Sequence, residues 1–388
     1  MVHPRITKME TRGPGINSKI DPWGSTEIEN YDGLFQEFGI RSIDDVLARL
    51  PKPSKYMRRR IVFGHTDLEK VLDAVEQDKP YAVMSGIKPS GPFHVGSKMI
   101  AEEIIYFQQL SPKALASYCV ADYEAYADNR QSFEESWKTA ISNVADVLAL
   151  GLDPKHAYIY RQSKQVNVIE KAFVYSRDVT YNMMEAIYGD RSFGLYLSAL
   201  IQVADILLPE TSDFGGPQPV IVPIGAEQAP HIRLTRDIAR RHEEEHFILP
   251  SATYHRLIRS LTGNSKMSKR EPMGLISLTD DPDFARRKIL LAYTGGREST
   301  KLQKELGGEP GKCVVYEFLM FHFIENDEQL EEVYNGCITG ARLCGPCKAM
   351  AAEIVAEYLR EHQHKREKTL PLAEEILKTQ PLPEIPPR

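Results

Sequence analysis

The chain has 388 residues, enough for two or three domains with substantial cores. Its 42% apolar and 26% charged residues place it with ordinary globular proteins, and a net charge of −6 excludes a global basic field that would advertise nucleic acid. No apolar run approaches the ~18 residues of a membrane span, and Met1-Val2-His3-Pro4-Arg5 carries no hydrophobic segment, so neither a membrane protein nor a signal peptide is expected.

Residues 1 to about 19 are polar and rich in Gly and Pro. Residues up to about 78 read as a small mixed extension with helix-like stretches near Leu34–Phe38, Ile43–Leu50 and Leu68–Val75. Within it Lys52, Lys55, Arg58, Arg59 and Arg60 form a basic cluster, either a solvated edge or a contact to an RNA backbone. From Tyr81 the pattern becomes strand, helix, strand. Tyr81-Ala82-Val83-Met84 is an apolar run of strand length, and Ser85-Gly86-Ile87-Lys88-Pro89-Ser90-Gly91-Pro92 can be neither helix nor regular strand. Ile100, Ile104 and Phe107 then fall on one helical face. Further strands are expected at Ala114–Val120, Tyr158–Tyr160 and Val220–Pro223, with helices at Ser136–Leu150, through most of 165–207, and at Gln228–Arg241. Such alternation implies a parallel sheet with right-handed crossovers, whose ligands gather at the carboxyl ends of the strands. After Lys269 the chain reads as helix: Pro282–Leu291, Val314–His322, Asp327–Tyr334 and Lys348–His364.

The turn after Tyr81–Met84 feeds a helix N-terminus, where unpaired N–H groups and the positive end of the macrodipole suit phosphate. Gly86, Gly91 and Gly96 allow close backbone approach, while Lys88 and His94 add protons or charge. Alone this is a common βα connection. Some 170 residues on, Lys266-Met267-Ser268-Lys269-Arg270 places two lysines three apart behind Gly263-Asn264, which makes a cationic loop.

His94-Val95-Gly96-Ser97 and the 266–270 stretch resemble the two signatures of class I aminoacyl-tRNA synthetases, in the same order. Beyond them, much of the chain is similar to the archaeal type of tryptophanyl-tRNA synthetase. The matching pieces are Asp21-Pro22-Trp23, Tyr31-Asp32 through Phe38-Gly39, Arg58–Ile61 with His65 and Asp67-Leu68, Gly225–Gln228 through Thr235-Arg236-Asp237, and Tyr293-Thr294-Gly295-Gly296-Arg297. The resemblance covers roughly residues 20 to 370 and is sparse between 155 and 195. It implies a Rossmann-like catalytic domain over 79–275 with a helical insertion, an N-terminal extension over 1–78, and a helical anticodon-binding domain over 276–388.

The reaction so implied is attack of an amino-acid carboxylate on the α-phosphorus of ATP, then transfer of the aminoacyl group to tRNA(Trp). It needs positioning and positive charge where pyrophosphate leaves, with Mg²⁺ arriving with ATP. By the resemblance His94, Lys266 and Lys269 carry the catalysis. ATP contacts are expected from Gly86, Lys88, His94, Gly96, Ser97, Gly225, Glu227, Lys266, Met267, Ser268 and Lys269. L-tryptophan contacts are expected from Met84, Cys119, Glu124, Gln202, Asp205 and Gln228. Two residues depart from the signatures: Ser97 stands where His is usual, and Arg270 where Ser is usual. The pocket is a hybrid: Met84 matches the bacterial tryptophan enzymes, and the archaeal ones carry Tyr at 84 and Gln at 119. Ser198 also replaces a usual aromatic residue. Tyrosyl-tRNA synthetase is the alternative within the subclass, and a small-molecule nucleotidyltransferase or a non-catalytic RNA-binding relative lies further off. The subclass usually pairs into homodimers through the inserted helices, and a cytoplasmic location is expected.

Of the five cysteines, Cys313, Cys337, Cys344 and Cys347 lie within 35 residues, and the last two form a Cys-x-x-Cys pair around Gly345-Pro346. Four thiolates select zinc or iron–sulfur over magnesium. Some tryptophanyl-tRNA synthetases look similar here and hold a [4Fe–4S] cluster, which ranks that cluster above Zn²⁺.

Overall fold

A computed structural model of the chain describes residues 22–23, 31–263 and 271–385. Among these, seven strands form one sheet: β1 (Arg41–Ser42), β2 (Val62–Thr66), β3 (Tyr81–Ile87), β4 (Ala114–Val120), β5 (Ala157–Arg161), β6 (Val220–Gly225) and β7 (Ser251–His255), in the spatial order β1-β2-β7-β6-β3-β4-β5. The five from β7 to β5 are parallel, whereas β1 and β2 join antiparallel at one edge. The four strands expected from apolar runs are all present.

The other three were hidden by their composition. Ser251-Ala252-Thr253-Tyr254-His255 and Val62-Phe63-Gly64-His65-Thr66 are half polar, yet every residue in them is buried. Their hydroxyls are matched internally: Thr66 Oγ1 and Tyr254 Oη lie 3.1 Å apart, Thr253 donates to Glu103 at 2.9 Å, and Ser251 donates to the Asp67 carbonyl at 2.7 Å. Buried polar groups satisfied in this way cost little, but they erase the apolar signal. The segment read as an N-terminal extension therefore supplies two strands to the central sheet.

Strand order runs outward from β3 through β4 to β5, then crosses to β6 and β7. The carboxyl ends of β3 and β6 consequently flank the point where the winding reverses, the usual ligand crevice of such sheets. Helices cover both faces. The Phe193–Glu210 stretch is long and apolar enough to cross a bilayer by length and composition, against the sequence reading, but 78% of it is buried inside the protein. It is a core helix, and its apolarity reflects packing.

The last helix runs Cys344–Thr379, 36 residues, well past the expected end at His364. It carries Pro371 in its interior and packs along the Phe133–Leu150 helix, where Thr369 donates to the Ala145 carbonyl at 2.8 Å and Arg366 lies 3.0 Å from Asp146. These side chains hold the helix past a residue that removes one backbone donor.

Four of the five residues of the basic cluster, all but the exposed Lys52, are engaged by carboxylates of the protein itself. Arg58 and Arg59 both reach Asp327 (2.8 and 2.7 Å), Arg59 also donates to the Glu325 carbonyl at 3.1 Å, and Lys55 pairs with Glu325. Arg60 pairs with Asp44 at 2.5 Å. Lys55, Arg58 and Arg59 thus tie the extension to the helical C-terminal half.

Candidate active site

His94–Ser97, Glu124 and Gly225–Gln228 lie at or just past the carboxyl ends of the parallel strands β3, β4 and β6. His94 caps the Val95–Gln109 helix, its Nδ1 accepting from the Gly96 amide at 3.1 Å. The stretch after 270 grips the same turn: Val95 N donates to Ile276 O at 3.0 Å, and Leu278 N to Phe93 O at 2.8 Å. Ser97 is half-buried in the first turn of that helix. Lys266, Met267, Ser268, Lys269 and Arg270 lie outside the described residues.

Contact demands glycine at 86, where the Cys119 carbonyl oxygen would also lie 2.5 Å from a Cβ, while at 225 a Cβ would displace a side chain. A Cβ on Gly86 would stand 2.3 Å from the Cys119 sulfur, and one on Gly225 would stand 2.2 Å from a Glu227 carboxylate oxygen. Gly225 ends β6, and the carboxylate of Glu227 folds back over its backbone. Gln228 Nε2 donates to the Pro22 carbonyl at 3.2 Å.

Lys88 lies between Asp128 and Glu124, the latter at 3.2 Å. Burial works to lower its pKa, but the two carboxylates outweigh it and hold the ammonium above the usual lysine range. Its charge is thus locally balanced, and it orients Glu124. The same carboxylate accepts the indole N–H of the chain's own Trp23 at 3.2 Å. The Trp23 ring packs against Tyr188 and His231, with centroids 5.0 and 5.4 Å away. His231 is buried, its pKa pushed down to about 3, and its Nδ1 lies 2.8 Å from the Tyr188 hydroxyl.

Deeper, Asp205 is fully buried on the Phe193–Leu207 helix. Tyr160 Oη donates to Oδ1 at 2.7 Å and Gln162 Nε2 to Oδ2 at 2.6 Å. Burial pushes its pKa up to about 7 against these hydrogen bonds and one from the Cys119 thiol. Burial also raises Cys119 well above its ordinary value, so it stays a thiol. Met84 is buried on β3, in the same apolar cluster as Cys119 and Tyr160. Gln202 is half-buried one helical turn before Asp205, whereas Ser198 bonds back to the Leu195 carbonyl at 2.8 Å. Sequence reasoning missed Tyr160, Gln162, Tyr188 and His231. Only the two residues at the end of β5 carried a signal, since polar groups just past a strand's carboxyl end belong to the crevice.

The four C-terminal cysteines come from three helices and reach one another electrostatically. Cys313 caps one helix, Cys337 lies near the end of another, and Cys344 and Cys347 occupy the first turn of the last. Burial, then repulsion from the other thiols, raises Cys337 and Cys347 to about 11. The expected metal centre is not assembled: among the described residues no group of three or more His, Cys, Asp or Glu could hold a metal ion.

The sequence pattern of the family "tRNA synthetases class I (W and Y)" matches residues 76–360. The chain is 40% identical to the tryptophan–tRNA ligase of Methanocaldococcus jannaschii, covering 92% of this chain and 98% of that one. It is 44% identical to the tryptophan–tRNA ligase of Hyperthermus butylicus, covering 90% and 95%. The chain belongs to the class I tRNA synthetases of the tryptophan and tyrosine group. Its relatives at this identity and coverage are tryptophan–tRNA ligases, and the fold agrees. The crystal structure of tryptophanyl-tRNA synthetase from Aeropyrum pernix K1 superposes with a TM-score of 0.85 at 40% identity, over 92% of this chain and 98% of that chain.

Proposed function

We propose that this member of the family activates L-tryptophan with ATP to tryptophanyl-adenylate and transfers the tryptophanyl group to tRNA(Trp). The observation that carries the reading is the buried Asp205, whose neighbours are neutral donors, at the carboxyl end of a sheet already shared with tryptophan–tRNA ligases. An acceptor of this kind, shielded from water and walled by Met84 and Cys119, suits an indole N–H. Above it Glu124, Gln202 and Gln228 are the groups for the amino-acid end. Gly86, Lys88, His94, Gly96, Ser97, Gly225 and Glu227 take ATP, with Lys266, Met267, Ser268 and Lys269 from the loop. His94 and the helix amides meet the phosphates, Glu227 suits the ribose hydroxyls, and Lys266 and Lys269 stabilise the departing pyrophosphate. ATP arrives with Mg²⁺, which neutralises phosphate charge.

The reading includes a division into 1–78, 79–275 and 276–388, the last part meeting the anticodon. It includes a cytoplasmic homodimer whose contact uses the inserted helices, where Val166, Phe173 and Phe193 are 63, 79 and 76% exposed. It also includes a [4Fe–4S] cluster on Cys313, Cys337, Cys344 and Cys347. What supports it is that the four thiols are near enough to influence one another electrostatically, and soft thiolates select iron–sulfur or zinc over hard cations. Four iron and four sulfide per chain after anaerobic purification support the cluster, one zinc supports the alternative, and neither removes the site.

ATP–pyrophosphate exchange run with tryptophan, with tyrosine and with no amino acid tests the assignment. Exchange only with tryptophan is expected. Exchange led by tyrosine moves the chain to the sister specificity, and none with either overturns the enzyme reading.

A further inference from the structure

A second cleft of about 400 Å³ lies beside the amino-acid site, between the end of β5 and the start of the Phe133–Leu150 helix. Tyr123, Phe133, Trp137, Arg161, Ser163 and Lys164 line it, with Glu134 as the one opposing charge. The aromatic residues are arranged as a platform. Phe133 meets Tyr123 edge-on at 5.5 Å and stacks on Tyr126 at 5.3 Å with 3° between the rings. Phe133 and Tyr126 remain 39 and 57% exposed.

The Arg161 guanidinium lies 4.3 Å from the Trp137 ring centroid. Its backbone amide is fixed by the Gln380 side chain at 3.1 Å. Yet the Arg161 Nε is buried with no hydrogen-bond partner. A buried donor on a cation without an acceptor is an unmet demand for one. Ser163 is already held by Asp122 through its amide at 3.0 Å and its hydroxyl. Asp122 and Glu134 offset part of the charge of Arg161 and Lys164. The cleft is therefore defined by its rings and by the unpartnered guanidinium N–H, and it favours a ligand that joins a flat ring to a hydrogen-bond acceptor such as a phosphate oxygen.

Position narrows the class. Tyr123 and Glu124 are consecutive on the first turn of the Asp122–Asn129 helix. Glu124 turns toward Lys88 and Trp23, whereas Tyr123 turns toward Phe133. One helical turn thus separates the amino-acid end of the active site from the aromatic cleft. Unpaired nucleotides bind by stacking on aromatic and guanidinium planes while cations meet their phosphates. We propose that this cleft receives an unpaired nucleotide of the tRNA 3′ end, and so guides the terminal ribose over the Asp122–Asn129 helix to the adenylate. This rests on the function proposed above.

Arg161→Met keeps the stem against Trp137, and Lys164→Ala changes an exposed residue. Both should keep tryptophan-dependent pyrophosphate exchange within about twofold of wild type. The KM for tRNA in aminoacylation should rise about tenfold in each. In filter binding, tRNA stripped of its unpaired 3′ nucleotides should bind wild type more weakly than intact tRNA, and the variants should lose that difference. An unchanged tRNA KM, or an equal loss with stripped tRNA, overturns the proposal. So does sedimentation showing that the variants dissociate, which would make the cleft a contact between copies. Calorimetric binding of AMP that depends on Arg161 while tRNA binding does not would reassign it to a free nucleotide. Failure of exchange in the wild type itself would strike the enzyme reading instead, and the comparison of the two tRNAs would still decide the cleft.

Discussion

Around Lys98 and Lys55 the protein buries ammonium groups against carboxylates, whereas at Asp205 it buries a carboxylate whose hydrogen-bond partners are all neutral. Lys98 is fully buried and lies 2.7 Å from Glu102, with Lys55 3.8 Å from the same residue. Both ammonium groups also donate to the His322 carbonyl, at 3.4 and 3.2 Å. The pairs offset the cost of desolvation, and they join the signature helix, the extension and the C-terminal half. Asp205 has Tyr160, Gln162 and the Cys119 thiol around it and no cation, so burial leaves it titrating near neutrality. A matched set of charges is a fastening. An unmatched one, held ready by neutral donors, is the better mark of a site that awaits a ligand.

The fastening breaks most visibly. Lys98→Ala leaves Glu102 without its nearest cation and should cost about 4 kcal/mol of stability in urea denaturation. The double change Lys98→Met with Glu102→Leu should recover most of it. Asp205→Ala sharpens the other side: the indole would be left without its acceptor, and kcat/KM for tryptophan should fall by about 2 kcal/mol. The KM for ATP should hardly move in that variant. An unchanged tryptophan KM would show that Asp205 serves the core alone.

The smallest effect is on pH dependence. Asp205 accepts as a carboxylate, and its pKa lies at about 7. Its acceptor form is present above that pH and lost below it. The tryptophan KM of the wild type should therefore rise as pH falls through about 7, while Asp205→Asn should give a flat profile over the same range. A wild-type KM independent of pH would place the titrating group elsewhere.

Sequence alone made the parallel centre of the sheet legible, because Tyr81–Met84, Ala114–Val120 and Val220–Pro223 are apolar runs between clear punctuation. It hid the antiparallel edge, since β2 and β7 exchange apolar side chains for hydroxyls and imidazoles that find partners only in three dimensions. The role of Arg58 and Arg59 was hidden for the same reason: their shared counter-ion Asp327 lies 269 and 268 residues away, and charge in sequence carries no address. The long final helix escaped because Pro371 and the 365–368 charges look like a stop, and only packing against the Phe133–Leu150 helix keeps it going. In the site, the residues after each strand were readable by position. Tyr160 and Gln162 carried the same positional signal at the end of β5, but their role exists only relative to Asp205, which the fold alone brings beside them.

The chain holds two tryptophans, and the fold places them apart. Trp23 rests on Glu124 beside Tyr188 and His231, at the mouth of the site proposed for the amino acid, while Trp137 lies beneath the Arg161 guanidinium. The protein therefore carries two native fluorophores, one at each recess, each beside a charged or ionisable neighbour that sets its emission. Trp137→Phe would leave Trp23 as the sole indole emitter and turn the mouth of the active site into an unlabelled optical window. Stopped-flow emission from Trp23 could then follow the approach of ATP with no contribution from the aromatic cleft.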